Sequence, residues 1–143
     1  MVDILHRVGI DAPLHKVYET LTTLDGNRAW WDSNATGDAK KGGVITFFKN
    51  FDMKVVEATP DELVKWKVVR GSEDWMNTEI TFRLARRKDQ TFVVFTHAGW
   101  REPTEFMHHC STKWATFLLS LKALLEQGKG RPAPGEVQIE VGG

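Results

Sequence analysis

The segment TEFMHHCSTKWATFLLSLKALLEQ, residues 104–127, carries the most regular apolar pattern in the sequence. Apolar side chains recur along it every three or four residues, which is the spacing of one face of an α-helix. These side chains are Met107, Cys110, Trp114, Phe117, Leu118, Leu121, Leu124 and Leu125. A helix of this length extends about 36 Å, enough to cross a small sheet. We therefore expect a long C-terminal helix that starts near Thr104, stops at Gly128 and covers a sheet.

The chain before this helix has the two-residue period of β-strands. Five short runs rich in Val, Ile, Thr, Phe and Trp are separated by brief polar turns. They occupy residues 44–49, 53–58, 63–69, 78–86 and 91–98. In the fourth run Ile80, Phe82 and Leu84 alternate with polar residues, so one face of that strand is buried. Such short connections predict an antiparallel meander.

The N-terminal part of the chain predicts one more strand and two short helices. Residues 2–10 show an imperfect alternation, which is typical of a strand. Leu14, Val17, Leu21 and Leu24 follow Pro13 at helical spacing, so we expect a helix that residues 25–27 interrupt. Residues 28–32 then predict a short second helix, followed by a polar loop.

The predicted elements form one α+β domain. Its six-stranded antiparallel sheet, two short helices after the first strand and long C-terminal helix are arranged in the order of a helix-grip fold. A length of 143 residues suits one such domain, for which we expect residues 1–130. Residues 131–143 form a tail, in which the alternation at residues 137–141 predicts an edge strand, a segment that pairs with another molecule, or a free end.

Charge and cysteine content exclude several classes of protein. The 19 basic and 19 acidic residues give a formal net charge of zero, so neither nucleic acid nor an anionic membrane is an expected partner. The single cysteine, Cys110, can form no internal disulfide, which suits a reducing compartment. Charged residues interrupt the N-terminus, and no apolar run is long enough to span a membrane. We expect a cytoplasmic protein without membrane insertion.

The sequence resembles one family of helix-grip proteins. The matching residues, in chain order, are Ala12-Pro13 with Val17, Trp30-Trp31, Gly43, Val56-Glu57 with Pro60, Trp66, residues 91–95, His97-Ala98-Gly99-Trp100, the helix positions Cys110, Trp114, Leu118 and Leu121, and Gly128-Lys129-Gly130. Their order and spacing are similar to those of the START-like (SRPBCC, Bet v 1-like) superfamily, and within it to the domain shared with the activator of Hsp90 ATPase. The resemblance implies a curved sheet wrapped around the long helix, with a cavity between them that many relatives use for apolar or aromatic molecules.

Nine residues are candidates for lining such a cavity. Strand alternation and the helix stripe place Phe82, Phe95, His97, Phe106, Cys110 and Trp114 inward, and Trp31, Trp75 and Trp100 near an entrance.

The six tryptophans divide into two groups. Trp66 and Trp114 fall on regular elements, where ordinary core packing is expected. The other four, Trp30, Trp31, Trp75 and Trp100, lie at element ends or in loops, where they line a cavity mouth, face a partner or close the ends of the sheet.

His97 is the candidate for acid–base chemistry, because it shares a strand face with Phe95. The alternative is a hydrogen-bonded core histidine. The adjacent His108 and His109 point about 100° apart on a helix and cannot bind one ion together, so we expect no metal site. No glycine-rich phosphate-binding motif occurs, and no cofactor is expected.

Three functions follow from these observations. The first is binding of a small hydrophobic or aromatic molecule between the sheet and the long helix. The second is a chaperone-linked interaction module with a protein partner, and the third is a cyclase or hydrolase that uses the same cavity with His97 as base. The sequence leaves open whether the protein is a monomer or a homodimer.

Overall fold

The computed structural model describes residues 1–141, in which a long helix lies across one antiparallel sheet. The elements in chain order are β1 (Val2–Ile10), α1 (Leu14–Leu21), α2 (Leu24–Trp30), β2 (Thr36–Gly37), β3 (Val44–Phe47), β4 (Phe51–Thr59), β5 (Leu63–Arg70), β6 (Glu79–Arg87), β7 (Gln90–Trp100) and α3 (Glu105–Gln127). The strands lie in the order β1-β7-β6-β5-β4-β3-β2. The predicted α+β helix-grip fold, with its curved sheet and long C-terminal helix, is confirmed.

The sheet has seven strands where the sequence predicts six. All six predicted strands are present, and the additional one is β2, which pairs with β3 through Thr36 opposite Thr46 and Gly37 opposite Ile45. A two-residue strand has no alternation to detect, and both of its residues are exposed.

The break between the first two helices lies earlier than the sequence predicts. Residues 25–27 do not interrupt a helix but belong to α2, and the break falls at Thr22 and Thr23. Thr23 caps α2, since its Oγ1 accepts a hydrogen bond from the N–H of Gly26 at 3.1 Å. The buried Asn27 then holds the two helices together. Its Nδ2 donates to the carbonyl of Leu21 at 3.0 Å, and its Oδ1 accepts from Trp30 Nε1 at 3.0 Å.

Strand register places the aromatic side chains on one face of the sheet. Phe82 on β6 lies opposite Phe95 on β7, and Ile80 lies opposite both His97 on β7 and Trp66 on β5. All five residues are fully buried. Because successive residues of a strand point to opposite faces, this register directs them toward the side that α3 covers.

Local signals fix both ends of α3. The hydroxyl of Thr104 accepts from the N–H of Met107 at 3.2 Å, and Gly128 closes the helix with a φ of 82° and an N–H to the carbonyl of Leu124. The predicted apolar stripe is buried from Met107 to Leu121. No helix within residues 1–141 is long and apolar enough to cross a membrane.

The tail runs back beside α2 and α3. Ala133 is buried, accepts from the N–H of Ser33 at 3.0 Å and donates its own N–H to the carbonyl of Trp31 at 2.8 Å. Arg131 donates its N–H to Ser120 Oγ at 2.7 Å. The edge strand that is one alternative for residues 137–141 is not formed in this structure. Residues 142 and 143 lie outside the described part of the chain.

Candidate functional site

A small open pocket lies between the first half of α3, the β3–β4 turn and the tail, with a volume of about 180 Å³. We call it the aromatic groove. It is lined by Trp31, Phe48, Phe51, Trp75, Phe106, His109, Cys110, Lys113, Trp114, Phe117 and Glu136. Seven of these eleven residues are Phe or Trp, so a ligand in the groove would make mainly apolar contacts.

Stacked indoles form the floor of the aromatic groove. Trp31 packs on Trp66 with ring centroids 5.9 Å apart and nearly parallel planes, and on Trp114 at 4.7 Å. Trp75 also stacks on Trp114, with ring centroids 5.9 Å apart. These rings hold one another in place, so the floor needs no rearrangement before a ligand binds.

A buried carboxylate shapes the side of the groove beyond α2. Asp32 is almost fully buried, and its two oxygens accept from the N–H of Phe48 at 2.7 Å and of Asn34 at 3.0 Å. Phe48 has a φ of 50°, a left-handed conformation that an aromatic residue rarely adopts. The hydrogen bond from the N–H of Phe48 to Asp32 therefore stabilises a strained turn, which places the Phe48 ring edge-on to Trp31 at 5.4 Å.

His97 lies beneath this floor, not in the groove. Trp114 Nε1 donates to its Nδ1 at 3.1 Å, and Thr78 Oγ1 lies 2.8 Å from its Nε2. An indole N–H can only donate, so Nδ1 accepts and the proton of the neutral ring is on Nε2. Thr78 accepts that proton and donates to the carbonyl of Trp75. Burial lowers the pKa of His97 to about 3, so the ring is neutral at physiological pH.

Cys110 lies at the base of the groove as a protonated thiol. Burial raises its pKa to about 11, and the neighbouring Trp75 side chain opposes this only in part. Thiolate is the nucleophilic form of cysteine, so Cys110 acts here as a small apolar side chain at neutral pH.

One ion pair and one histidine–carboxylate hydrogen bond lie at the mouth of the groove. Lys113 Nζ is 3.1 Å from a carboxylate oxygen of Glu136, and His109 Nδ1 is 2.7 Å from one of Glu140. The exposed Phe106 ring stacks on His109 with centroids 6.1 Å apart. Each pair joins α3 to the tail, so the tail forms part of the rim.

The structure brings five of the nine predicted cavity residues to the groove. They are Trp31, Trp75, Phe106, Cys110 and Trp114. The other four, Phe82, Phe95, His97 and Trp100, are buried behind them. Phe95 packs on Trp114 at 4.6 Å and Trp100 on His97 at 5.0 Å, so aromatic side chains fill the space that the sequence assigns to a larger cavity. Trp30 is also core, with Phe82 edge-on at 6.0 Å.

Sequence reasoning missed six lining residues, namely Phe48, Phe51, His109, Lys113, Phe117 and Glu136. A helical signal was available for two of them. Phe106, Cys110, Lys113 and Phe117 are spaced four, three and four residues apart, which places them on one side of α3. No local pattern marks Glu136, because the course of the tail brings it to the groove.

Comparison with known proteins identifies the family. Residues 11–126 match the family described as Activator of Hsp90 ATPase homolog 1-like protein. The chain belongs to this family. The resemblance inferred from the sequence is thereby confirmed for the activator-like domain.

Solved structures agree with this assignment. The activator-like fold is shared with the Aha1 dimer from Colwellia psychrerythraea, which is 48% identical, with a TM-score of 0.82 over 91% of this chain and 100% of that one. Protein SSP2350 from Staphylococcus saprophyticus is 20% identical, with a TM-score of 0.77 over 92% and 98% of the two chains. CalU16 from Micromonospora echinospora is 22% identical, with a TM-score of 0.75 over 92% and 77%. No curated protein matches the sequence.

Proposed function

We propose that this protein binds one small aromatic or apolar molecule in the aromatic groove. The observation that carries the proposal is an open pocket of about 180 Å³ in which seven of eleven lining residues are Phe or Trp. Ligand sites are mainly apolar with a few polar groups, and here the polar groups are at the mouth. Offset and edge-on contacts with several rings favour an aromatic ligand.

The volume limits the ligand to about one ring. An apolar cavity of about 150 Å³ is sufficient for benzene, whereas sites for larger organic ligands measure roughly 300–1,000 Å³. The groove therefore accommodates a single ring with a short substituent. A larger ligand has to extend into solvent beyond Phe106.

The groove supports binding better than catalysis. Both ring nitrogens of His97 are used in hydrogen bonds within the core, so neither is available to a substrate. The thiol of Cys110 is protonated at neutral pH because burial raises its pKa to about 11. The cyclase or hydrolase alternative, which relied on His97 as base, has no support in this geometry.

A fluorinated probe tests the proposal without interference from protein fluorescence. We expect 4-fluorobenzyl alcohol to bind with a Kd on the order of 1 mM, as its few heavy atoms allow, measured by ligand-observed ¹⁹F NMR. Cys110→Phe fills the base of the groove and should abolish binding. Ala123→Phe is the matched control, since Ala123 lies on the same helix at a separate surface groove. Absence of binding, or equal binding by both variants, contradicts the proposal.

A second function, assistance to Hsp90, is favoured by one comparison. The 48% identical protein from Colwellia psychrerythraea is described as Aha1, and its whole length aligns with this chain. We propose that this chain also contacts an Hsp90 and raises its ATPase rate. The test is ATP turnover by the Hsp90 of the same organism with and without this protein. An unchanged rate at saturating concentration excludes the activator role and leaves the ligand proposal standing.

The Colwellia psychrerythraea relative is described as a dimer, which favours the homodimer among the two states open from the sequence. We propose that state for this chain, and sedimentation equilibrium measures it directly. A monomer mass at micromolar concentration contradicts it.

A further inference from the structure

The mouth of the aromatic groove holds a cation on α3 and an anion on the tail. Lys113 Nζ lies 3.1 Å from Glu136, and the two side chains are only 19% and 12% exposed. Both residues line the groove. The pair is thus the charged contact nearest to the space that a ligand would occupy.

The two partners are held with unequal strength. Lys113 lies within the 23 residues of α3, between Cys110 and Trp114, which both line the groove. Glu136 lies in the tail, beyond the backbone hydrogen bonds that fix Arg131 and Ala133. Within residues 136–141, two side chains accept hydrogen bonds from the rest of the described chain, Glu136 from Lys113 and Glu140 from His109. The lysine is therefore the fixed charge of the mouth, and the carboxylate can be exchanged.

We propose that the ligand of the aromatic groove is a small aromatic acid whose carboxylate replaces that of Glu136 on Lys113 Nζ. This inference rests on the proposed ligand-binding function and specifies its ligand class. The ring occupies the apolar floor and the acid group takes the position of the glutamate. In the unliganded protein, Glu136 then serves as an internal substitute for the ligand's carboxylate.

The ammonium group of Lys113 favours an acid over a neutral or cationic ligand. A partly buried ammonium group that loses its carboxylate partner is costly unless another anion replaces it. A neutral ligand gains no such contact. A cationic ligand would be repelled by the ammonium of Lys113, because α3 holds this residue beside the groove. His109 and Glu140, which are hydrogen-bonded to each other, also lie at the rim, and the carboxylate of Asp74 is close enough to Cys110 to act on its thiol.

Three probes of equal ring size separate charge from apolar contact. We compare 4-fluorophenylacetate, 4-fluorophenylacetamide and 4-fluorophenethylamine by ¹⁹F NMR on the intact chain. The acid should bind roughly threefold more tightly than the amide. This is less than the roughly tenfold of a new charge-assisted hydrogen bond, because the Lys113–Glu136 pair is broken as the new pair forms. The amine should bind most weakly.

Substitutions at the pair assign this preference to Lys113. Lys113→Met should bind the acid no more tightly than the amide, because it loses the ammonium and keeps the carboxylate of Glu136 beside the groove. Glu136→Gln keeps the lysine and removes the competing carboxylate, so it should bind the acid several-fold more tightly than the wild type. Lys129→Met is the control, because Lys129 is exposed beyond the end of α3 and should leave the preference unchanged.

The outcomes separate the two proposals. Equal binding of acid and amide by the wild type, tightest binding of the amine, or a preference for the acid that persists in Lys113→Met overturns the inference and leaves groove binding intact. Failure of all three probes and of 4-fluorobenzyl alcohol overturns both.

Discussion

Trp114 on α3 donates its indole N–H to Nδ1 of His97 on β7 at 3.1 Å, a hydrogen bond that joins the long helix to the sheet inside the aromatic core. It leaves the histidine neutral, with its remaining proton directed to Thr78. This hydrogen bond gives His97, the acid–base candidate of the sequence analysis, a structural role in the core.

The contribution of this hydrogen bond to stability can be measured by comparing Trp→Phe substitutions at Trp114 and Trp100. Both are almost fully buried, but Trp100 Nε1 has no hydrogen-bond partner among residues 1–141. Both Trp→Phe substitutions remove the same atoms, and only Trp114→Phe leaves His97 Nδ1 without a donor. We expect Trp114→Phe to lower the free energy of unfolding by about 1–3 kcal/mol more than Trp100→Phe, measured by urea denaturation. Equal losses would show that the bond contributes nothing.

The low pKa of His97 predicts that acid destabilises the fold. Burial lowers this pKa from 6.5 to about 3, so between these values the unfolded chain binds a proton that the native protein does not. The contribution of His97 to the free energy of unfolding is therefore fully present above pH 6.5 and is lost as the pH decreases toward 3. At pH 5 the loss from His97 is about 2 kcal/mol. Urea denaturation at pH 7 and pH 5 measures it, with His97→Gln as the variant in which this contribution is absent. An identical pH dependence in both proteins contradicts the assignment.

Cys110 should be nearly inert in the folded protein. Burial raises its pKa from 9.0 to about 11, which lowers the thiolate fraction at pH 8 roughly a hundredfold. We expect iodoacetamide to modify the native chain at least that much more slowly than the chain in urea. The signal is unambiguous because the sequence has one cysteine. Labelling of the native protein at the unfolded rate would mean that the groove exposes the thiol and that its pKa is not raised.

The parts of the fold that the sequence predicts well depend on local chemistry. Thr104 and Gly128 define α3 because a hydroxyl cap and a left-handed glycine act within one turn of the helix. The alternation of Ile80, Phe82 and Leu84 identifies the buried face of β6 from neighbouring residues alone. Thr23 shows the limit of such signals, since Gly26 in the next turn suggests a break where a capped helix continues.

The site was harder to predict because its boundary depends on contacts between distant residues. Alternation places Phe95 and Trp114 inward, but it does not tell whether two inward side chains leave space between them or touch. Here their centroids are 4.6 Å apart, so they fill the interior. Glu136 reaches the groove because Ala133, three residues earlier, forms an isolated parallel β-bridge with Asp32. No period or motif within residues 131–143 contains that information.

Two truncations determine where the domain ends. The sequence places its end at Gly130, but Arg131 and Ala133 take part in four further hydrogen bonds. Arg131 N–H donates to Ser120 Oγ at 2.7 Å and Ala133 N–H to the carbonyl of Trp31 at 2.8 Å, and the Ala133 carbonyl accepts from both the N–H and the hydroxyl of Ser33 at 3.0 Å. A chain that ends at Gly135 keeps these bonds and loses only the side-chain contacts of residues 136–141. We expect it to be about 1–2 kcal/mol less stable than the full chain, because it leaves the partly buried ammonium of Lys113 without the carboxylate of Glu136.

A chain that ends at Gly130 should be about 2–4 kcal/mol less stable than the chain that ends at Gly135, since it also loses four hydrogen bonds and the burial of Ala133. Urea denaturation of the three lengths measures both steps. Ser120 Oγ donates to the carbonyl of Trp30 at 2.8 Å and accepts from the N–H of Arg131 at 2.7 Å. Ser120→Ala should therefore lower the free energy of unfolding of the full chain more than that of the chain that ends at Gly130, which keeps only the first of these bonds. Equal stability of the two truncated chains would return the domain boundary to residue 130 and make residues 131–133 part of the tail.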